Sequence, residues 1–350
     1  MKRSLPGNLG CLDCRASDWD VEVFAENARE IRSGKLRCRA CRAEYAIDGG
    51  IVQMLRELSG EVACEKSHSE RLGYLKTASG ESYQINQETI ERFRNVFLTL
   101  PTGDGGPMFQ PGGCFDNQAQ NAARFFETLN LLNLKGNEKV LELGASFGWS
   151  AWRFAQRGCD VVALDVTNYL AVSDLYFEED DAYFERVMAD MNRLPFKDES
   201  FDLIFSHSVI HHCQDLAGLF RTFYRLLRPG GRVVALHECA FGLLEDKSGA
   251  ALKEAIEEGY NENAYTLPQW KRGARDGGFH DIHFHFFSFV NDYTRRKKDR
   301  KAPLTFKLKL AAWIQKHPTL HRLINDLSVA PRILLRPKNW MMTAVKTAKP

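Results

Sequence analysis

The 350-residue chain has no apolar run of about 18 residues or more, so a membrane-spanning helix is not expected. Its first residues, MKRSLPGNLGCLDC, place no apolar stretch behind the basic pair; a secretory signal is therefore not expected, and the cytoplasm is. There is no internal repeat and no low-complexity segment, which argues against a solenoid or a disordered tract. An excess of either charge is also missing from the whole, since 47 Lys and Arg face 45 Asp and Glu. That balance hides an asymmetry. From Asp292 onward 15 basic residues face 3 acidic ones, leaving 32 against 42 before it, so a tail of +12 follows a body of −10. Such a tail points to an anionic partner.

Nine cysteines without a secretory signal argue against a disulfide framework, and four of them form two C-x-x-C pairs, Cys11 with Cys14 and Cys38 with Cys41. Two such knuckles are the usual way to present four thiolates to one zinc ion, which would be structural because all four positions around it are filled. Residues 1–57 are expected to form this small β module. The stretch GKLRCRACRAEYAIDGGIVQML, Gly34 to Leu55, resembles the second half of the zinc-ribbon-like small activator subunits of tRNA and protein methyltransferases. That resemblance implies a partner or lid for a methyltransferase.

Residues 58–134 carry helical patterns, interrupted by PTGDGGPMFQPGG, whose glycines and prolines suit a lid over a site or a plain linker. From 135 to 290, near-continuous Val/Ile/Leu strands alternate with amphipathic helices: KVLELG, SAWRFAQR, DVVALD, FDLIFSHSVI, LAGLFRTFYRLL, RVVALHE. This predicts an α/β fold, a parallel sheet covered by helices on both faces. GFHDIHFHFFSF reads as two further strands. In such a sheet ligands sit beyond the carboxyl ends of the strands, so the loop after the first strand is the place to look. Gly144 and Gly148 there let the backbone turn and approach a ligand, and Asp165 ends the next strand where ribose hydroxyls would lie.

Dinucleotide binding makes the same demands, but Ser146 and Trp149 stand where a G-x-G-x-x-G fingerprint wants glycine and a small residue. Glu142, Gly144, Ser146 and Gly148 instead match the acid-x-Gly-x-Gly-x-Gly loop of S-adenosylmethionine methyltransferases, with serine at the central glycine. Together with MADMNRLPFKDESFDLIFSHSVIHHCQDLAGLFRTFYRLLRPGGRVVALHE, this segment resembles class I methyltransferases of the ubiquinone/menaquinone-biosynthesis type. The resemblance implies a Rossmann-like sheet and an enzyme using S-adenosyl-L-methionine. Gly144 would lie beside its methionine portion, Asp165 on the ribose, Asp190 and Met191 at the adenine, and His207 near the sulfonium. Methyl transfer asks mainly for positioning and exclusion of water, with a base where the acceptor holds a proton. His211 and His212 are the first candidates for that base and His207 follows; capping or packing beneath the cofactor is the alternative for each.

No N/D-P-P-Y/F motif ends the fourth strand, so a nucleobase amine is not the expected acceptor. EEGYNENAYTLPQWKRGARDGGF resembles acceptor-wall segments of methyltransferases found with polysaccharide and lipid-linked sugar assembly. The first expectation is methylation, at oxygen, of a small-molecule, glycan or lipid-linked acceptor. The second is an RNA methyltransferase with zinc module and tail as RNA-binding parts, and the third a catalytically silent scaffold. In the tail, 291–350, LTFKLKLAAWIQKHPTLHRLINDL mixes apolar residues with lysines as an interfacial amphipathic helix does, beside the basic cluster RRKKDRK. Anionic membrane, RNA, and a helical pair packed on the domain are the three readings of it, the first placing the protein peripherally at the inner face of the membrane.

Overall fold

The computed structural model describes residues 1–56, 75–245, 265–299, 303–335 and 337–347, with 58, 62–63, 66–67 and 263 between them. Four strands open the chain: β1 (Trp19–Glu26), β2 (Ile31–Cys38), β3 (Glu44–Asp48) and β4 (Ile51–Gln53). A short hairpin, β5 (Leu75–Lys76) and β6 (Ser82–Tyr83), precedes helices α1 (Gln87–Arg92), α2 (Arg94–Thr99) and α3 (Gln118–Leu132). Strands then alternate with helices: β7 (Lys139–Leu143), α4 (Trp149–Ala155), β8 (Asp160–Asp165), α5 (Ser173–Glu179), β9 (Glu185–Met188), β10 (Phe201–His207), α6 (Leu216–Leu226), β11 (Leu227–Leu236), α7 (Leu267–Asp276) and β12 (Asp281–Phe286). Helices α8 (Phe289–Asp299), α9 (Phe306–Gln315) and α10 (Pro318–Leu335) lead into a last strand, β13 (Trp340–Val345).

All strands but the hairpin join one sheet in the order β1-β2-β3-β4-β9-β8-β7-β10-β11-β13-β12. From β4 to β11 the neighbours are parallel, while β13 runs antiparallel to both β11 and β12. The central strands alternate their side chains between two cores, Leu141 and Ile204 on one face and Val140 and Phe205 on the other. This is the expected α/β sheet with helices on both faces. Local signals agree: Asp215 caps α6 by accepting the Gly218 N–H at 2.8 Å, and Thr266 and Gln269 form a capping box on α7.

Three boundaries differ from the sequence reading. GFHDIHFHFFSF supplies one strand, β12; its neighbour is β13, some fifty residues later in the chain, so the sheet extends past residue 290 into the basic tail. Apolar spacing locates a strand but not which strand it pairs with. The Arg-Pro-Gly-Gly residues between the expected helix LAGLFRTFYRLL and strand RVVALHE lie inside β11 as an irregularity, where the register on β10 jumps from Leu227 to Arg232. The cysteine-bearing strands, expected as a separate module, continue the sheet through β4 and β9 (Ile51 opposite Arg186) and share a core with Phe196 and Phe201. Arg186, fully buried on β9, ties the two parts further by contacting Glu30 at 2.6 Å and Asp174 at 2.7 Å. Arg32 reaches the same two carboxylates at 2.7 and 2.8 Å.

Candidate functional site

The carboxyl ends of β7, β8, β10 and β11 converge on one side of the sheet, and the predicted site residues lie there. After β7 the chain turns sharply: Gly144, Ser146 and Gly148 all have positive φ, at +61°, +49° and +77°. A Cβ on Gly144 would come within 2.2 Å of the Val209 side chain, so the loop after β10 presses against this turn and requires the glycine. The Ser146 N–H donates to Asp165 at 2.8 Å, while the other Asp165 oxygen accepts from the Thr167 N–H and hydroxyl at 2.8 and 2.7 Å. Burial pushes the Asp165 carboxyl above its ordinary range, against those hydrogen bonds. Glu142, buried on β7, takes the Ser150 hydroxyl; burial raises its carboxyl to about 8, leaving it protonated near neutral pH.

Asp190 follows β9 and caps a helical turn at Met191–Arg193 by accepting the Asn192 N–H at 2.8 Å; Met191 packs on the core beside it. Trp149, which argued against a tightly packed dinucleotide loop, is buried edge-on against Phe125 and His207 at ring distances of 4.9 and 5.9 Å. The Gly/Pro-rich segment lies close by: Met108 is buried, and Phe109 stacks at 5.3 Å on Phe115, which meets Phe147 of the β7 loop edge-on at 6.1 Å.

Beyond β10 and β11 a buried polar cluster forms. Its hub is Glu238, the last residue of the RVVALHE stretch, two residues beyond β11. Glu238 accepts the Ser206 hydroxyl at 2.5 Å, the N–H groups of Val209, Ile210 and His211 at 3.1, 3.1 and 3.2 Å, and His211 Nδ1 at 2.7 Å. Burial works to raise its carboxyl, but His211 and the other donors hold it down to about 2. An ionised carboxylate only accepts, so His211 Nδ1 carries the proton of that contact and the ring is held with Nε2 on its other side. His212 lies against the His211 ring at 4.2 Å. His207 stacks on His237 at 5.5 Å; burial lowers them to about 4 and about 3, so both are neutral near pH 7. The structure thus gathers His207, His211 and His212 at one sheet end and links His211 to a buried carboxylate.

Several buried polar atoms here have no hydrogen-bond partner: Ser146 Oγ, Glu142 Oε2 and His207 Nε2. Orphaned groups on a glycine turn beside an acid-ended strand suit a polar, nucleoside-bearing ligand. In the expected acceptor wall, residues 257–262 and 264 lie outside the described residues, while Tyr265 donates to the backbone of Cys213 and Gln214 at 2.8 and 2.7 Å.

The cysteines form a separate centre. The sulfurs of Cys11, Cys14, Cys38 and Cys41 all lie within 4.8 Å of one another. The two knuckles repeat one hydrogen-bond pattern: Cys11 N–H to Ala16 and Arg15 N–H to Cys11, then Cys38 N–H to Ala43 and Arg42 N–H to Cys38, at 2.8–2.9 Å. Arg15 and Arg42 close them with φ of +63° and +65°. A tetrahedral ion with Zn–S bonds of about 2.3 Å sets its sulfurs about 3.8 Å apart, and the pairs Cys11–Cys41 and Cys14–Cys38 stand at 3.5 and 3.6 Å.

Residues 141–235 match a family model described as a methyltransferase domain. Over 164 residues the chain is 32% identical to a phosphoethanolamine N-methyltransferase of Triticum aestivum, covering 45% of this chain and 30% of that protein. It is 34% identical over 97 residues to a malonyl-[acyl-carrier protein] O-methyltransferase of Erwinia billingiae, covering 28% of this chain and 38% of that one. The chain thus spans about a third of the length of these curated relatives. Among solved structures it is similar to Haemonchus contortus phosphoethanolamine N-methyltransferase 2, determined with phosphomonomethylethanolamine and S-adenosylhomocysteine. There the TM-score is 0.51 at 20% identity, covering 81% of this chain and 60% of that one, a likeness of fold. The sheet therefore matches the Rossmann-like fold of class I methyltransferases, and the segment bearing the glycine turn matches the methyltransferase domain model.

Proposed function

We propose that the protein transfers a methyl group from S-adenosylmethionine to a small acceptor whose nucleophile carries a proton. The observation that carries this reading is the pairing, at one end of one sheet, of the Gly144–Gly148 turn tied to Asp165 with a histidine held by a buried carboxylate. When bound, the cofactor supplies a methyl carbon activated by its sulfonium. Ser146, Asp165 and Asp190 would hold its polar groups, with Glu142 beneath the turn and Met191 beside the base. Val209 and Trp149 keep water from the turn. Glu238 orients His211 so that Nε2 takes the acceptor's proton as its heteroatom is methylated. Relatives named for transfer to nitrogen and to oxygen support both heteroatoms; a hydroxyl of a glycan or lipid-linked acceptor is the oxygen form of the proposal.

Titration calorimetry with S-adenosylmethionine and its demethylated product tests the cofactor half. The expected outcome is binding of both, weakened by roughly 1–3 kcal/mol in Asp165→Ala through loss of ribose hydrogen bonds; equal affinity in the variant would remove Asp165 from the site. The four-cysteine centre is proposed to hold structural zinc, with all coordination filled by thiolate and no part in the chemistry.

A further inference from the structure

Helices α9 and α10 present their apolar residues the wrong way round for a helix packed on a core. Phe306, Leu310 and Trp313 recur at i, i+4 and i+7 on the outward face of α9, with Phe306 78% exposed. Leu323, Leu327 and Leu334 form the matching outward stripe of α10, with Leu327 68% exposed. The inward faces are instead pinned partly by polar contacts. Gln315 donates to Asn291 and Thr294 at 2.9 and 2.7 Å, and His321 Nε2 meets the Ser288 hydroxyl at 2.8 Å. In water an amphipathic helix turns its leucines in, so outward stripes on two successive helices mark a surface built to be covered.

Its chemistry says by what. Between Pro303 and Leu335 five Lys and Arg face one Asp, and Lys307, Lys309 and Lys316 are exposed among the apolar residues. A second copy of this face would set lysine against lysine. RNA would leave the leucines and Phe306 in water. An anionic lipid surface satisfies both sets, taking the apolar side chains below its headgroups and the lysines among its phosphates. Trp313 adds an aromatic ring at the depth where such rings settle. No described helix is long and apolar enough to cross a membrane, which fits a surface contact.

We infer that α9 and α10 dock the protein onto an anionic bilayer. The docking face continues into the segment after Glu238: the Leu243 and Leu244 N–H groups donate to Ile333 and Leu334 at 3.2 and 2.9 Å, and Leu244 is 73% exposed. The bilayer therefore lies beside the strand end that carries Glu238 and His211. The inference stands apart from the methyl-transfer reading, because docking is measured without cofactor or acceptor.

The test uses the full chain and vesicles of phosphatidylcholine, alone or mixed with phosphatidylglycerol. Of the six tryptophans, Trp19, Trp149, Trp152, Trp270 and Trp340 are buried and Trp313 is half exposed, so a blue shift on vesicle addition reports on Trp313. The expected result is flotation with mixed vesicles, lost on raising salt, together with that shift. Leu323→Ser with Leu327→Ser, both at exposed positions, should weaken binding about tenfold or more. Lys307→Gln and Lys309→Gln should each weaken it about fivefold. Absence of flotation would overturn the inference, as would flotation indifferent to the leucine variants. A dimer that those variants dissociate, or salt-sensitive RNA binding by a chain that ignores vesicles, would overturn it in favour of another partner.

Discussion

Glu238 shows how much one buried carboxylate organises. Five donors converge on it, three of them successive backbone N–H groups, so it shapes the loop after β10 and fixes the orientation of the His211 ring at once. His211→Ala should lower kcat/KM by about 10²- to 10⁴-fold with cofactor affinity unchanged, read by steady-state kinetics beside calorimetry; a variant with full activity would end the base assignment. Burial of neutral His207 gives stability a pH dependence. Its folded value, about 4, lies below the ordinary 6.5, so the unfolded chain takes the proton first. Stability from this group is complete above 6.5 and declines as pH falls to about 4. Denaturant melts of His207→Leu should lose that part of the slope; an unchanged slope would assign it elsewhere. At this scale the sequence announced the histidines through their clustering after a strand. Glu238 was visible as the last residue of RVVALHE, but its grip on His211 depends on the neighbouring strand, and adjacency of strands is not written in local spacing.

Among elements, the glycine turn and the cysteine knuckles were the most legible, because each is a short loop whose chemistry is set by a few residues close in sequence. Gly144→Ala should destabilise the turn by about 1–3 kcal/mol, since it adds a side chain at positive φ and drives it into Val209. Thermal melts of Gly144→Ala with and without Val209→Ala separate the two causes, the second substitution relieving only the contact. Cys38→Ser should abolish stoichiometric zinc and lower the melting temperature, as measured by elemental analysis and calorimetry; a metal-free wild type of full stability would remove the zinc proposal. The last strand was not legible. WMMTAV lies far from the alternating pattern, inside a segment dominated by its positive charge, and charge says nothing about which strand will accept it.

For the molecule as a whole, the cysteine strands were expected as a separate unit and are instead fused to the sheet. The fusion is ionic as well as backbone: burial works against the Glu30 carboxyl, yet Arg186 and its other partners hold it down to about 2. Arg186→Met should cost about 3 kcal/mol by removing the fully buried partner of that charge, with Arg32 and the Met1 amino group still in contact, and adding Glu30→Gln should return part of the loss. Denaturant unfolding of both variants checks this; additive losses would deny that the two residues act as a pair. The order of strands also bears on how the chain is made. Among the described residues β12 bonds to the sheet through β13 alone, and β13 is completed by Val345. A growing chain therefore holds the open edge of β11, and β12 without its partner, until β13, some fifty residues beyond β12, has been synthesised. That interval, when α8 to α10 are already synthesised and the edge is still bare, is when a chaperone or an aggregating neighbour would find this protein.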